Sequence, residues 1–178
     1  MSLLRLADAL EAVTGLIGRA AAWVTLLLVL LVTFNVASRY LFSWGTVWLQ
    51  EAEWHLLAVI ALFGITYTLR HGEHVRVDML YERLSPRAQH LVDCVSALVL
   101  IVVAVLVIRS SENFVGQSWR VGEMSPDPGG VPARYALKAL IPLGFAVLIV
   151  QAAAIALRHG VLFCRPAGEE SADEGGGR

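Results

Sequence analysis

Charge is scarce in this chain of 178 residues: 16% are Asp, Glu, Lys or Arg, while 57% are hydrophobic. Soluble domains carry about 25% charged residues, so a water-soluble globule is excluded and lipid is the solvent that fits. Lysine is almost missing. Of 14 basic residues, only Lys138 is not arginine, which a GC-rich genome explains without any functional reading. Cysteine occurs twice, at Cys94 inside an apolar run and at Cys164 after the last one. Neither zinc spacing nor a redox pair is present, so both are expected as free thiols. The net charge of -1 selects no partner, and nothing points to nucleic acid. There is no internal repeat.

What the chain has is long apolar runs. A spanning helix needs roughly 20 mostly apolar residues. Residues 20–38, "AAAWVTLLLVLLVTFNVAS", hold no charge and make the first span. Residues 47–69 make the second, with Glu51, Glu53 and His55 near its start. Residues 91–108 make the third, running on past Arg109 toward Phe114. Residues 139–157 follow Lys138 and make the fourth, with Pro142 near its start; a proline is tolerated there where neighbouring helices cover the backbone. The first run is too long for the apolar part of a cleaved signal peptide and is followed by no clear A-x-A site, so it is kept as a span.

The basic residues orient these spans. Arg5 and Arg19, then Arg70, Arg76, Arg83 and Arg87, then Arg158, Arg165 and Arg178 fall on one side; Arg39, Arg109, Arg120, Arg134 and Lys138 fall on the other. Positive residues favour the cytoplasm, so both termini are expected inside, with Trp44 and Trp48 at the outer interface. Leu3, Leu6, Leu10, Val13 and Ile17 recur at helical spacing and predict a helix lying in the cytoplasmic interface before the first span. Val77, Leu80, Tyr81 and Leu84 form a second such stripe, and Ser85-Pro86 ends it and starts the next helix. The expected fold is an all-α membrane protein of four transmembrane helices with interfacial helices at the N-terminus and in the cytoplasmic loop. Residues 1–160 form the membrane domain; residues 161–178, acidic and glycine-rich, form a disordered cytoplasmic tail.

The polar residues near the span ends are the candidates for chemistry. The stretch "RHGEHVRVDML", residues 70–80, holds His71, Glu73, His74 and Asp78. His71 and His74 are three apart, as helical metal ligands would be, but Gly72 weakens a helix between them. A solvated turn closing a hairpin accounts for the arginines there, though not for the particular string. A haem would need facing axial ligands inside the membrane, and His55 is the only histidine within a span; His71, His74, His90 and His159 sit at or beyond the inner boundary. No cofactor and no metal are expected. Glu51 and His55, four apart, share a helix face, and Glu53 points elsewhere. Two readings stay open: a functional ionisable group within the span, or residues in the outer headgroup zone. Asn35 and Arg39 close the first span, and Arg39 is placed to pair with Glu51 or Glu53 across the tight turn. Transporters usually hold polar clusters and broken helices at mid-membrane. Here the span centres are Leu, Val, Ile and Ala, relieved by Thr25, Thr33, Ser96 and Gln151. No enzymatic constellation is present, and the residues by themselves indicate an accessory membrane module.

One pattern goes further. "NVASRYLF" is followed by "WLQEAEWHLLAVIALFGITYTLRHGEHVRVDML". This resembles the small membrane subunit of TRAP (tripartite ATP-independent periplasmic) transporters, the DctQ-like family. Its N-x-x-x-R-Y/F, W-x-x-E and R-x-G-x-H-[IV]-[RK]-[VI]-D elements match Asn35, Arg39, Tyr40, Trp48, Glu51, Arg70, Gly72, His74, Arg76 and Asp78. The resemblance covers roughly residues 3–159. The loop "SPDPGGVPARYALKALIPLGF" looks like a branch labelled for mannitol or chloroaromatic compounds, to which carriers of 2-oxo and 2-hydroxy acids are similar. Gln50 departs from the pattern, since many members carry a second acidic residue there.

The resemblance implies a small permease subunit that braces a large, sodium-coupled elevator subunit, with a periplasmic binding protein delivering an organic acid. The implied partners are that large permease, the binding protein and membrane lipid, in a bacterial inner membrane. The small residues Ala58, Ala61 and Gly64 would let another helix approach closely. The competing class is a self-contained, proton-coupled exporter working as a dimer, which needs a carboxylate near mid-membrane; Glu51 lies close to the outer edge.

Overall fold

The computed structural model describes residues 2–71, 81 and 83–164. Four helices account for nearly all of them: α1 (Ser2–Phe42), α2 (Val47–Arg70), α3 (Pro86–Arg120) and α4 (Arg134–Cys164). All four are long and apolar enough to cross a membrane, and there is no strand among the described residues. The four-helix architecture expected from the apolar runs is therefore the architecture present.

Local chemistry sets the helix ends. Thr46 caps α2, its side chain accepting from the Leu49 N–H at 3.4 Å. Ser85 caps α3 in the same way through the Ala88 N–H, with Pro86 at the first helical position, where its missing N–H removes no bond. At the far end of α3, Gly122 adopts φ 56°. The Gly122 N–H then reaches the Trp119 carbonyl, and the Glu123 N–H the Ser118 carbonyl. This is a Schellman stop, which favours glycine because a Cβ disfavours left-handed backbone. Pro142 lies inside α4 without ending it.

α4 is the hub. It packs against α1, α2 and α3, while α1 also packs on α2. The buried positions are mostly small. On α3, Ala97, Ala104, Ser111 and Ser118 repeat every seven residues, which keeps one narrow seam against α4, as in a coiled coil. On α4 the buried set is Gly144, Leu148, Gln151, Ala152 and Ala154. A Cβ on Gly144 would stand 2.8 Å from the Leu62 Cβ, so glycine permits the close approach of α2. Small seams of this kind replace the hydrophobic effect, which does not drive helices together in lipid.

Two features differ in detail from the sequence reading. The N-terminal amphipathic segment is not a separate helix, because α1 runs unbroken from Ser2 to Phe42. At about 1.5 Å per residue its 41 residues make roughly 60 Å, twice the ~30 Å hydrocarbon thickness. Its small residues face inward, with Ala7, Thr14 and Ala21 buried, while Leu3, Leu6, Val13 and Leu16 are exposed. Gly15 and Gly18 do not break the helix; they admit the Arg70 and Tyr67 side chains of α2. Secondly, α4 continues to Cys164, past the boundary drawn at residue 160. The tail from 165, and Val77 and Leu80 of the second stripe, lie outside the described residues; Tyr81 and Leu84 are within them.

Candidate functional site

The polar side chains gather at the two ends of the bundle. At the end holding the α1–α2 turn, Glu51 reaches across to the loop between α3 and α4. Its carboxylate accepts from the Ser125 hydroxyl and, at 2.5 Å, from the Val131 N–H. One turn along the same face, His55 Nδ1 contacts the Glu51 carbonyl at 2.7 Å. A carbonyl only accepts, so Nδ1 carries the proton. Its Nε2 is buried without a hydrogen-bond partner among the described residues. Glu51, His55, Trp54, Asp127 and Arg134 line a cleft of about 450 Å³.

Arg39 does not take part. Among the described residues no ion pair joins it to Glu51 or Glu53; it is exposed, its Nε lying over Gly45. The link between α1 and α2 is made instead by Asn35, whose Nδ2 donates to Glu53 Oε1 at 2.7 Å. Asn35 is buried and its Oδ1 has no partner among the described residues. The expected ion pair through Arg39 is thus replaced by an amide–carboxylate bond. The physical reason is rotation: Glu51 and Glu53 stand about 200° apart on the helix wheel. When Glu53 faces α1, Glu51 faces the α3–α4 loop.

That loop has its own staple. Glu123 binds Lys138, and the Lys138 ammonium also lies 4.2 Å from the Phe114 ring centroid. The bond to Lys138 holds the Glu123 carboxyl below its ordinary value.

At the other end, Arg158 on α4 grips the first turns of α1, with Nη2 at 2.7 Å from Asp8 and 3.0 Å from Glu11. Deeper in, Thr14 donates to Gln151 Oε1 at 2.5 Å, and both side chains are almost fully buried. Asp93, only 7% exposed, accepts from the Tyr81 hydroxyl at 2.6 Å and lies 3.3 Å from His159 Nδ1. His90 Nδ1 completes the group at 3.1 Å from His159 Nδ1. Sequence reasoning passed over Asp93. The signal was available: a single acid within an otherwise apolar segment marks a position worth weighing.

The remaining candidates fall as follows. Trp48 is half-exposed on the first turn of α2, beside the buried Leu49. Gly64 has open space where a Cβ would stand, with nothing within 4 Å among the described residues. Arg70 is exposed at the last turn of α2, with its guanidinium against Gly15. His71 Nδ1 returns to the Tyr67 carbonyl at 2.9 Å. His74, Arg76 and Asp78 lie outside the described residues.

The chemistry of this arrangement is that of fastening. Thr25 and Thr33, within the first span, and Ser111, just past the third, each bond a carbonyl four residues back on their own helix. Glu51, Glu53, Glu123, Gln151 and Arg158 each join two elements. No group of three potential metal ligands occurs among the described residues.

Comparison with known proteins agrees with this membrane architecture. The model of the family described as "Tripartite ATP-independent periplasmic transporters, DctQ component" matches residues 28–160. The chain is also 26% identical over 117 residues to the ectoine TRAP transporter small permease protein TeaB of Halomonas elongata. That alignment covers 66% of this chain and 60% of the relative, so the chain spans less than two thirds of the relative's length. With three quarters of its length inside the family model, the chain belongs to the DctQ family, the small permease component of tripartite ATP-independent periplasmic transporters.

Proposed function

We propose that this chain braces the large permease of a sodium-coupled importer and carries no substrate itself. In this reading a periplasmic binding protein delivers an organic acid, and the large subunit moves it. The loop at residues 125–145 supports the mannitol, chloroaromatic or 2-oxo acid branch. The named relative's own system is one for ectoine.

The observation that carries the proposal is the use of the polar side chains. The carboxylates at the α1–α2 end are consumed in ties between elements: Glu51 by Ser125 and Val131, Glu53 by Asn35. Meanwhile a Cβ on Gly64 would meet nothing within 4 Å among the described residues. A carrier needs polar groups to replace the hydration of its cargo at mid-membrane, whereas a brace needs outward small residues for a partner helix. The proton-coupled exporter draws no support from Glu51, whose carboxylate is held at the end of the bundle.

The location follows the same line. The basic residues favour a bacterial inner membrane with both termini cytoplasmic. In that orientation residues 165–178 lie on the cytoplasmic side, as do His74, Arg76 and Asp78. Affinity purification of this chain from its native membrane should bring down a multi-span permease in equal amount. Isolation of the chain alone, or only with copies of itself, under conditions that keep other membrane complexes intact would count against the bracing role.

A further inference from the structure

Two adjoining cavities at the α1 N-terminal end are unlike in character. The first, about 400 Å³, is a polar mouth that includes Arg70, His71, Arg158 and Asp93. The second, about 210 Å³, is an apolar slot lined by Leu69 of α2, Ser96, Ala97 and Leu100 of α3, and Ala152 of α4. Leu69, Asp93 and Ile155 border both, so the slot opens into the mouth. From Asp93 to Leu100 it runs roughly 10 Å along α3.

The topology makes this slot. α2 and α3 each pack on α4 without a packed interface between them, so a furrow remains with α4 as its floor. The floor and one wall are small, because Ala152 and Ala97 serve the α3–α4 seam. A helix with side chains is about 10–12 Å across, too wide for a slot of 210 Å³. A single alkyl chain is the right shape.

The mouth selects the head. Arg158 is committed to Asp8 and Glu11, and Asp93 to Tyr81 and His159. Arg70 has no ion pair among the described residues, and it stands one residue from Leu69 of the slot. A guanidinium offers paired N–H groups that suit a phosphate, and basic pockets between membrane helices favour anionic headgroups.

We propose that this furrow holds one anionic phospholipid, its phosphate on Arg70 and one acyl chain between α2 and α3. This inference rests on the membrane fold and not on the transport role, so its failure would leave the bracing proposal standing.

The test is native mass spectrometry of the full chain with its co-purifying partners, delipidated and then titrated with phosphatidylglycerol, phosphatidylethanolamine or inorganic phosphate. The wild type should keep one phosphatidylglycerol per chain in preference to phosphatidylethanolamine, and inorganic phosphate should not displace it. Arg70→Gln should weaken phosphatidylglycerol retention about fivefold and erase the preference. Ser96→Phe, at an exposed wall position, should lose the lipid of either class by filling the slot. Retention in Arg70→Gln equal to wild type overturns the headgroup assignment, and that variant decides the matter if Ser96→Phe loses its helical signal. Displacement by inorganic phosphate, or full retention in a folded Ser96→Phe, overturns the acyl chain assignment.

Discussion

Asn35 Nδ2 donates to Glu53 Oε1 at 2.7 Å, and this bond ties α1 to α2 near their shared turn. Asn35 is buried and its carbonyl oxygen has no partner among the described residues, so losing Glu53 would strand the whole amide. Glu53→Ala should therefore cost about 1–3 kcal/mol, the penalty of an unsatisfied buried group. Glu53→Gln keeps an acceptor and should cost clearly less. Arg39→Gln, at an exposed site, should stay within about 0.5 kcal/mol. Reversible denaturation in detergent measures all three; a larger loss for Arg39→Gln than for Glu53→Ala would reverse the assignment.

Glu51 should couple to Ser125 and not to Arg39. Its carboxylate accepts from both Ser125 and the Val131 N–H. An amide at this position keeps one acceptor oxygen, enough for the Val131 N–H, and exchanges the charged bond to the Ser125 hydroxyl for a weaker neutral one. Glu51→Gln should thus lower the denaturation midpoint, and adding Arg39→Gln should recover none of the loss. A double-mutant cycle of Glu51→Gln with Ser125→Ala should show coupling outside experimental error. Such coupling with Arg39, and none with Ser125, would contradict the geometry.

These two ties show what the sequence could and could not say. The spans were legible because each apolar run is long and bounded by charge or by capping residues such as Thr46 and Ser85-Pro86. Depth was legible too, since antiparallel helices joined by a short turn place Asn35 and Arg39 opposite the 51–53 region. Rotation was not. Whether Glu51 or Glu53 faces α1 depends on how small residues seat α2 against α4, as Gly144 does beneath Leu62. No residue near Glu51 reports that. The ties from Glu51 to Ser125 and from Thr14 to Gln151 are 74 and 137 residues long in sequence, beyond what local pattern can reach. The amphipathic stripe of Leu3, Leu6 and Val13 was visible, but which stripe the bundle would bury was not, because lipid accepts leucine as readily as a protein core does.

Two glycines should answer differently to the same substitution. A Cβ on Gly18 would stand 2.8 Å from the Tyr67 Cβ, so Gly18→Ala should overpack the α1–α2 contact and cost about 1–3 kcal/mol. A Cβ on Gly64 would meet nothing within 4 Å among the described residues, so Gly64→Ala should leave the chain's stability unchanged or slightly raised. Bulk at Gly64 should instead weaken association with the large permease, seen as loss of co-purification in Gly64→Leu. Equal destabilisation of the isolated chain by both alanine variants would contradict the packing described.

Glu123 should stabilise the α3–α4 loop in a pH-dependent way. Lys138 holds its carboxyl below the ordinary value of 4.5. A group with a depressed folded-state pKa binds fewer protons folded than unfolded, so its contribution is full above the ordinary value. It is lost as pH falls through the lowered one. The difference in melting temperature between wild type and Glu123→Gln should be flat from neutrality to about pH 5 and should close in more acidic buffer. A difference that grows on acidification would be opposite in sign to this account.

Whether this chain braces or carries is decided by reconstitution into proteoliposomes under a sodium gradient. Alone, it should give no uptake of organic acid. Uptake should appear when the large permease and the binding protein are added, and should be lost when this chain alone is left out. Gradient-driven uptake by this chain by itself, or full uptake without it, would contradict the bracing role.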